Sequence, residues 1–194
     1  ENQFLAEEHN DNNLSQFIYQ KSCSICHGAV GNGRGVEAVN LKVQPADITK
    51  IITRRATLLT VLETGVPGSA MPYFRIYTKD TLSGLMDYLQ KNRDIRSFPG
   101  ELKVTTTGEQ QQEAQTVFMQ QCADCHGSGA TVTQKGAALR PPARSMGDWA
   151  LAPDASFKII SEGYPGTDMK GYGQIPEGVR WAIVRRMYQS YEKE

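Results

Sequence analysis

The sequence predicts an all-α protein that contains two copies of one unit. Apolar residues recur at helical spacing in six segments, and no segment alternates apolar and polar residues as a half-buried strand does. The helical segments are 14–22, 56–64, 79–92, 109–121, 155–162 and 177–191. Features of the first half return in the second half about 99 residues later, the distance from Cys23 to Cys122.

The length of 194 residues accommodates two small domains. We predict an N-terminal tail over 1–13, a first domain over 14–92, a linker over 93–108 and a second domain over 109–194. The linker contains a Pro-Gly pair and interrupts both helical patterns.

The charge pattern excludes several classes of protein. The 21 basic and 21 acidic residues cancel and are spread evenly, which argues against a nucleic-acid-binding domain and against a polybasic membrane anchor. No apolar run approaches the roughly 18 residues that a transmembrane helix needs. The first residues lack the basic and apolar regions of a signal peptide, so such a signal was either removed or never present.

Each unit contains the motif Cys-x-x-Cys-His, which is typical of covalent attachment of a c-type haem. Two thiols add to the two vinyl groups on one edge of the porphyrin, and the adjacent histidine reaches the iron from one face. The motifs therefore predict two covalently attached haems. The predicted thioether residues are Cys23, Cys26, Cys122 and Cys125, and the predicted proximal iron ligands are His27 and His126.

Zinc and redox chemistry are weaker alternatives for the same cysteines. Four cysteines in two pairs could bind one zinc ion, but 95 residues separate the two pairs, whereas zinc ribbons place theirs roughly 15–20 residues apart. A disulfide or thiol redox pair explains neither of the adjacent histidines. The third histidine, His9, lies in a polar acidic segment, and we expect it to be a surface residue.

A second repeated motif indicates the sixth ligands of the two irons. Residues 65–71 and 163–169 share Gly, Pro, Gly and Met at four of seven positions. Met71 follows His27 by 44 residues, and Met169 follows His126 by 43. A turn-rich loop of this kind can present a thioether to the far face of the haem. We therefore predict that Met71 and Met169 ligate the two irons.

Together these motifs resemble class I cytochrome c, and their tandem arrangement resembles the di-haem cytochromes of the cytochrome c4 family. The resemblance implies two all-α domains, each wrapped around one haem, in which the first and last helices cross. Tyr19 would then meet Leu85 and Leu89 in domain one. In domain two, Phe118 would meet Val184 and Tyr188. One departure is that Pro72 follows Met71, as the family pattern expects, whereas Lys170 follows Met169.

A proximal histidine usually donates its other ring N–H to a carbonyl, which fixes the tautomer. The resemblance implies an acceptor in a proline loop, where Pro45 and either Pro141 or Pro142 occupy the matching places, although ordinary turn prolines would look the same. Side chains that could bind the haem propionates are Arg34, Arg54, Arg55, Arg140, Arg144 and Trp149.

The predicted function is electron transfer. A haem with His and Met on its two faces has no open position for a substrate, so the expected role is a carrier of single electrons and not an enzyme. The resemblance implies a donor such as a quinol-oxidising complex or small redox protein, and an acceptor such as a terminal oxidase. Covalent haem assembly implies a periplasmic location. The alternatives are a fixed cytochrome c subunit of a larger membrane respiratory complex and a di-haem redox enzyme with one open haem site.

Overall fold

The structure is a computed structural model, and it describes residues 11–92, 102, 104–128, 131–147 and 149–192. His9, most of the predicted tail and much of the predicted linker lie outside these residues.

Domain one consists of four helices and two short 3-10 turns. The helices are α1 (Asp11–Ile18), α2 (Ser24–His27), α3 (Arg55–Thr64) and α4 (Lys79–Asn92). A π-helical turn, Tyr19–Cys23, joins α1 to α2, so one continuous helical segment carries the first haem motif. The 3-10 turns are Ala38–Asn40 and Ile48–Lys50.

Domain two has the same order of helices, with an additional short helix where domain one has its first 3-10 turn. Its helices are α5 (Gly108–Gln121), α6 (Ala123–His126), α7 (Gln134–Ala138), α8 (Pro153–Glu162) and α9 (Glu177–Glu192). A capping box starts α5, because the Thr107 hydroxyl accepts from the Gln110 N–H while the Gln110 side chain accepts from the Thr107 N–H. The six predicted helical segments are all present, with ends that differ by a few residues.

The predicted helix crossings are confirmed. In domain one α1 packs against α4, and Tyr19, Leu85 and Leu89 share one buried cluster. In domain two α5 packs against α9, and a second cluster holds Phe118 with Val184 and Tyr188. Full burial of a large apolar side chain stabilises a fold by about 1.5–3 kcal/mol, so these crossings are a main source of stability in each domain.

A two-stranded antiparallel sheet joins the domains, and it was not predicted. Strand β1 (Ile51–Thr53) pairs with β2 (Trp149–Leu151). The central pair is Ile52 with Ala150, two positions 98 residues apart. The methionine loops repeat at the same offset, so each domain contributes the equivalent strand and the sheet lies on a pseudo-two-fold axis.

The packing around this sheet follows the same symmetry. The backbone of Gly68 lies against Arg140, and the backbone of Gly166 lies against Lys42. Both glycines have positive φ, 79° and 80°, and a Cβ at Gly68 would lie 2.5 Å from the Cβ of Arg140. Gly166 lies 98 residues after Gly68, and Arg140 lies 98 residues after Lys42. A side chain at either glycine would therefore push the domains apart.

Polar contacts between the domains are less symmetric. The Tyr164 hydroxyl donates to the Gln44 carbonyl at 2.9 Å, and Lys50 pairs with Asp154 at 3.0 Å. Ile52 is 2% exposed, and although it belongs to domain one in sequence, it packs in the core cluster of domain two. The stability of domain two thus depends on a residue of domain one.

We expect Ile52→Ala to lower the free energy of unfolding of the holoprotein by about 2–4 kcal/mol, because it leaves a cavity in the core of domain two. Urea denaturation followed by circular dichroism measures this change. Ile76→Ala, at a side chain that is 77% exposed, is the matched control and should change the free energy by no more than about 0.5 kcal/mol. Equal effects of the two substitutions would contradict the assignment of Ile52 to that core.

Candidate haem-binding sites

The two Cys-x-x-Cys-His motifs lie at the ends of matching helical segments. Each motif ends in a short helical turn, and a glycine follows the histidine with positive φ, 81° at Gly28 and 72° at Gly127. The glycine N–H groups bond the Ser24 carbonyl at 2.8 Å and the Ala123 carbonyl at 2.9 Å. Only a residue that tolerates this left-handed conformation turns the chain away directly after the histidine.

Both histidine rings are oriented by a backbone carbonyl. The Nδ1 of His27 lies 2.9 Å from the Ala46 carbonyl oxygen, and the Nδ1 of His126 lies 3.1 Å from that of Arg144. Donation from Nδ1 fixes the proton there and leaves the Nε2 lone pair available to a metal. This is the tautomer that a proximal haem ligand requires.

The carbonyls that accept from the two histidines are not the proline carbonyls that the sequence indicated. Ala46 is the residue after Pro45, and Arg144 is the second residue after Pro142. The Pro45 carbonyl is turned towards Gly33, where a Cβ would lie 2.6 Å from its oxygen. The proline loops therefore do bring a carbonyl to each histidine, but the turn at Pro45 directs its own carbonyl elsewhere.

Burial shifts the pKa of three motif side chains, His27, Cys23 and Cys122. It lowers the pKa of His27, and the hydrogen bond to Ala46 opposes this shift. Burial also raises the pKa of the Cys23 and Cys122 thiols to about 11 each, with a further contribution from the neighbouring thiols of Cys26 and Cys125. A neutral imidazole can ligate iron, whereas a protonated thiol is a poor metal ligand.

The cysteines fit thioether formation better than zinc binding. All four are free of disulfides. Among the residues that the structure describes, no three His, Cys, Asp or Glu side chains are grouped to hold a metal ion, so the two pairs do not form one tetrahedral site. Each pair instead lies beside its own histidine, as attachment of one haem per domain requires.

The first methionine loop is held by a short ladder of hydrogen bonds. The Val66 N–H donates to the Met71 carbonyl at 3.1 Å, which closes the loop. The Ser69 hydroxyl donates to the Val66 carbonyl at 2.8 Å and accepts from the Met71 N–H at 3.1 Å. Gly65 and Gly68 supply two positive φ angles. Met71 is half-buried and packs against the core of domain one.

The second loop has the same hydrogen bonds. The Tyr164 N–H donates to the Met169 carbonyl at 3.0 Å. The Thr167 hydroxyl donates to the Tyr164 carbonyl at 2.8 Å and accepts from the Met169 N–H at 3.1 Å. Gly163 and Gly166 repeat the positive φ angles. The structure therefore places the backbone of Met169 in its loop as it places that of Met71.

The two methionine loops continue along the same backbone path, although different residues follow Met71 and Met169. Beyond Pro72, the Phe74 N–H donates to the Leu62 carbonyl at 2.7 Å. Beyond Lys170, the Tyr172 N–H donates to the Ile160 carbonyl at 2.8 Å. The chain returns to the preceding helix in the same way in both domains, although proline is absent from the second.

The arginines suggested as propionate donors occupy different environments. Arg55 pairs with Asp87 at 2.6 Å on the surface, and Arg140 donates to carbonyls at the end of α7. Arg54 donates to the Gly147 carbonyl at 3.3 Å across the domain interface, and Arg34 is exposed. The side chain of Trp149 lies outside the described residues.

Arg144 lies near Tyr164, whose hydroxyl contacts domain one, and no local sequence pattern indicates this pairing. The carbonyl of Arg144 orients His126, and its half-buried guanidinium lies near the Tyr164 ring. Burial lowers the pKa of Arg144, and the tyrosine opposes that shift. Burial raises the pKa of Tyr164, while the nearby guanidinium lowers it.

Both halves of the chain match the family described as cytochrome c oxidase, cbb3-type, subunit III, over residues 13–89 and 109–185. The chain belongs to this cytochrome c family. Cytochrome c domains bind c-type haem, and the donor sets described above fit that cofactor in each half. Two domains indicate two haems, and the family implies electron transfer.

No curated protein is significantly similar to the chain. Among solved structures, the Kuenenia stuttgartiensis reducing HAO-like protein complex Kustc0457/Kustc0458 is similar, with 19% identity over 90% of this chain and 93% of that chain and a TM-score of 0.41. Of the helices within the described residues, none is both long enough and apolar enough to cross a membrane.

We expect denaturing mass spectrometry of the protein to show a mass increase of two haems. Replacing Cys122 and Cys125 by alanine should remove one haem and leave the other, because each pair serves its own domain. The matched variant, with Cys23 and Cys26 replaced, should do the same. A variant that loses both haems or neither would contradict one independent attachment site per domain.

Proposed function

We propose that this protein is a di-haem electron-transfer protein in which both irons have one histidine and one methionine ligand. His27 and Met71 would ligate the first iron, and His126 and Met169 the second. Cys23, Cys26, Cys122 and Cys125 would form the thioether bonds. The observation that carries the proposal is that both methionine loops have the same hydrogen bonds, which argues that the second site is closed in the same way as the first.

Each domain's own residues prepare its site for electron transfer. The carbonyls of Ala46 and Arg144 hold the imidazole rings and increase the basicity of the ligating nitrogens. The loop bonds hold the backbone of each methionine in place. When bound, c-type haem supplies a one-electron iron couple, and methionine ligation with burial raises its potential. With a histidine and a methionine on each iron, neither site would have an open position for a substrate.

The interface supports transfer between the two sites. The sheet, the glycine contacts at Gly68 and Gly166 and the buried Ile52 hold the domains in one arrangement. An electron could therefore enter through one domain and leave through the other, as in the di-haem cytochromes of the c4 type that the chain resembles. We propose a respiratory donor, such as a quinol-oxidising complex or small redox protein, and an acceptor such as a terminal oxidase. The periplasm is the proposed location, because covalent haem assembly occurs there.

A second candidate function is that of a fixed subunit in a membrane respiratory complex. It is favoured by the family description, which names an oxidase subunit. The protein would then remain with its complex during native extraction and size-exclusion chromatography. A free carrier would elute near the 21.5 kDa of its chain plus two haems.

We expect the ferric protein to show the methionine-to-iron charge-transfer absorption band at full intensity for two haems. Met71→Ala and Met169→Ala should each remove half of the band, because each removes one thioether ligand. Met119→Ala is the matched control: Met119 is 47% exposed, lies in α5 and should leave the band unchanged. If Met169→Ala leaves the band at full intensity, the second iron has another ligand or an open position, and a redox enzyme becomes the better reading.

A further inference from the structure

One side chain of domain two reaches the segment that orients the histidine of domain one. The Tyr164 hydroxyl donates to the Gln44 carbonyl at 2.9 Å, in a partly buried contact. Two residues further along the chain, the Ala46 carbonyl lies 2.9 Å from the Nδ1 of His27. A tyrosine of one domain and the proximal histidine of the other therefore contact the two ends of one short segment, residues 44–46.

The backbone of Tyr164 belongs to the second methionine loop. Its N–H donates to the Met169 carbonyl at 3.0 Å, and its carbonyl accepts from the Thr167 hydroxyl at 2.8 Å. The ring is half-buried, so water competes less for the hydroxyl than it would on an open surface. The same residue thus closes the loop of Met169 and contacts the segment that orients His27.

The repeat shows that this link runs in one direction. At the 98-residue offset of the interface, the counterpart of Tyr164 is Val66, which has no hydroxyl group. The counterpart of Gln44 is Pro142. The first methionine loop therefore cannot donate the corresponding bond from Val66 to the segment that orients His126. Domain two restrains the histidine segment of domain one without an equivalent tyrosine bond in return.

Domain one also restrains this segment by bonds of its own. The Gln44 side chain donates to the Ala38 carbonyl at 3.2 Å and to the Leu41 carbonyl at 3.0 Å. The Ile48 N–H donates to the Gly31 carbonyl at 2.8 Å. These bonds hold the chain before and after residues 44–46, whereas the tyrosine of domain two holds a peptide carbonyl of the segment itself.

The path from the tyrosine to the histidine is short and stiff. The Tyr164 bond fixes the peptide group between Gln44 and Pro45. Proline fixes its own φ angle, so few free rotations separate that peptide group from the Ala46 carbonyl. A change in the position of Tyr164 is therefore transmitted to the carbonyl that orients His27.

We infer that Tyr164 is a positioning residue for the first haem, on which it acts from the methionine loop of the second. By holding the Gln44 carbonyl it keeps the Ala46 carbonyl directed at the Nδ1 of His27, which increases the basicity of the ligating nitrogen. A more basic imidazole favours ferric iron, and hydrogen bonds around an axial ligand are one means by which a protein sets the haem potential. Domain two thereby adjusts the potential of the first haem. This inference rests on the proposed electron-transfer function.

Tyr164→Phe removes the hydroxyl and keeps the ring, so it tests the bond alone. The matched control is Tyr172→Phe, which removes a hydroxyl bond to the Gln121 carbonyl, at 3.2 Å, within domain two. The measurement is hydrogen–deuterium exchange of the histidine Nδ1–H groups in the ferrous holoprotein, by NMR with nitrogen-15-labelled histidine. The cysteine variants that each lack one haem assign the two signals.

We expect Tyr164→Phe to speed exchange at His27 about fivefold, because losing one hydrogen bond makes local opening of the segment easier. Exchange at His126 should change by less than about twofold, since its acceptor lies outside the segment. Tyr172→Phe should leave exchange at His27 unchanged. An equal effect of the two substitutions on His27 would overturn the inference.

A redox titration followed by NMR gives the second measurement. A weaker bond between Ala46 and His27 should make the first haem easier to reduce, so Tyr164→Phe should shift the equilibrium constant for electron exchange about threefold towards reduced haem one. Tyr172→Phe should leave the potential of haem one unchanged. A loss of stability in Tyr164→Phe without either change at haem one would mean that the tyrosine only joins the domains, and the inference would be overturned.

A second variant perturbs the segment from within domain one. Gln44→Met removes the side-chain bonds to Ala38 and Leu41 and retains the backbone carbonyl that Tyr164 contacts. It should also speed exchange at His27, and its effect should not simply add to that of Tyr164→Phe, because both act on one segment. If Gln44→Met speeds exchange and Tyr164→Phe does not, domain one alone holds the segment and the inference is overturned.

Carbon monoxide separates this inference from the proposed function. If it binds neither reduced haem of the wild type, and Tyr164→Phe leaves both exchange at His27 and the potential of haem one unchanged, the inference fails alone. If it binds a reduced haem of the wild type, that iron has an open position and the proposed function fails.

Discussion

In the function that we propose, each domain must bring a histidine and a methionine, 43 or 44 residues apart in sequence, to opposite faces of one flat cofactor. The histidine must lie beside two cysteines, which places it in a short helical turn. The methionine must come from a loop that can curve over the far side, which the paired glycines of positive φ permit. The two terminal helices then cross behind these segments and bury their aromatic residues, so the protein core supports both ligand-bearing segments.

Much of this architecture could be predicted from the sequence, because its signals are local. The haem motifs, the glycine-rich methionine loops and the apolar faces of the long helices each lie within a few consecutive residues. The contacts of Tyr19 with α4 and of Phe118 with α9 could also be predicted, because the resemblance to class I cytochrome c implies that the terminal helices cross. Repetition strengthened every one of these predictions, because the same signal occurred twice at one offset.

The remaining features depend on contacts between distant segments. A strand of three residues is too short to show alternation, so nothing in residues 51–53 indicated a partner at 149–151. The histidine acceptors were placed in the proline loops, but the identity of the carbonyl depends on how each turn is oriented in space. Burial of Ile52 in the other domain's core, and the approach of Arg144 to Tyr164, likewise require the assembled interface.

The register of the small sheet also bears on how a two-domain chain of this kind can arise. Ile52 pairs with its own counterpart, Ala150, and the pseudo-two-fold axis exchanges the two flanking pairs of the sheet. The contacts of Gly68 and Gly166 obey the same exchange. This is the pattern of an isologous interface, in which the same patch on two identical subunits is self-complementary. Two separate copies of a single-haem unit could therefore form this interface as a homodimer. Covalent fusion would then free each copy to diverge, and in the described residues the exposed large apolar side chains, except Met119, all lie in the first half.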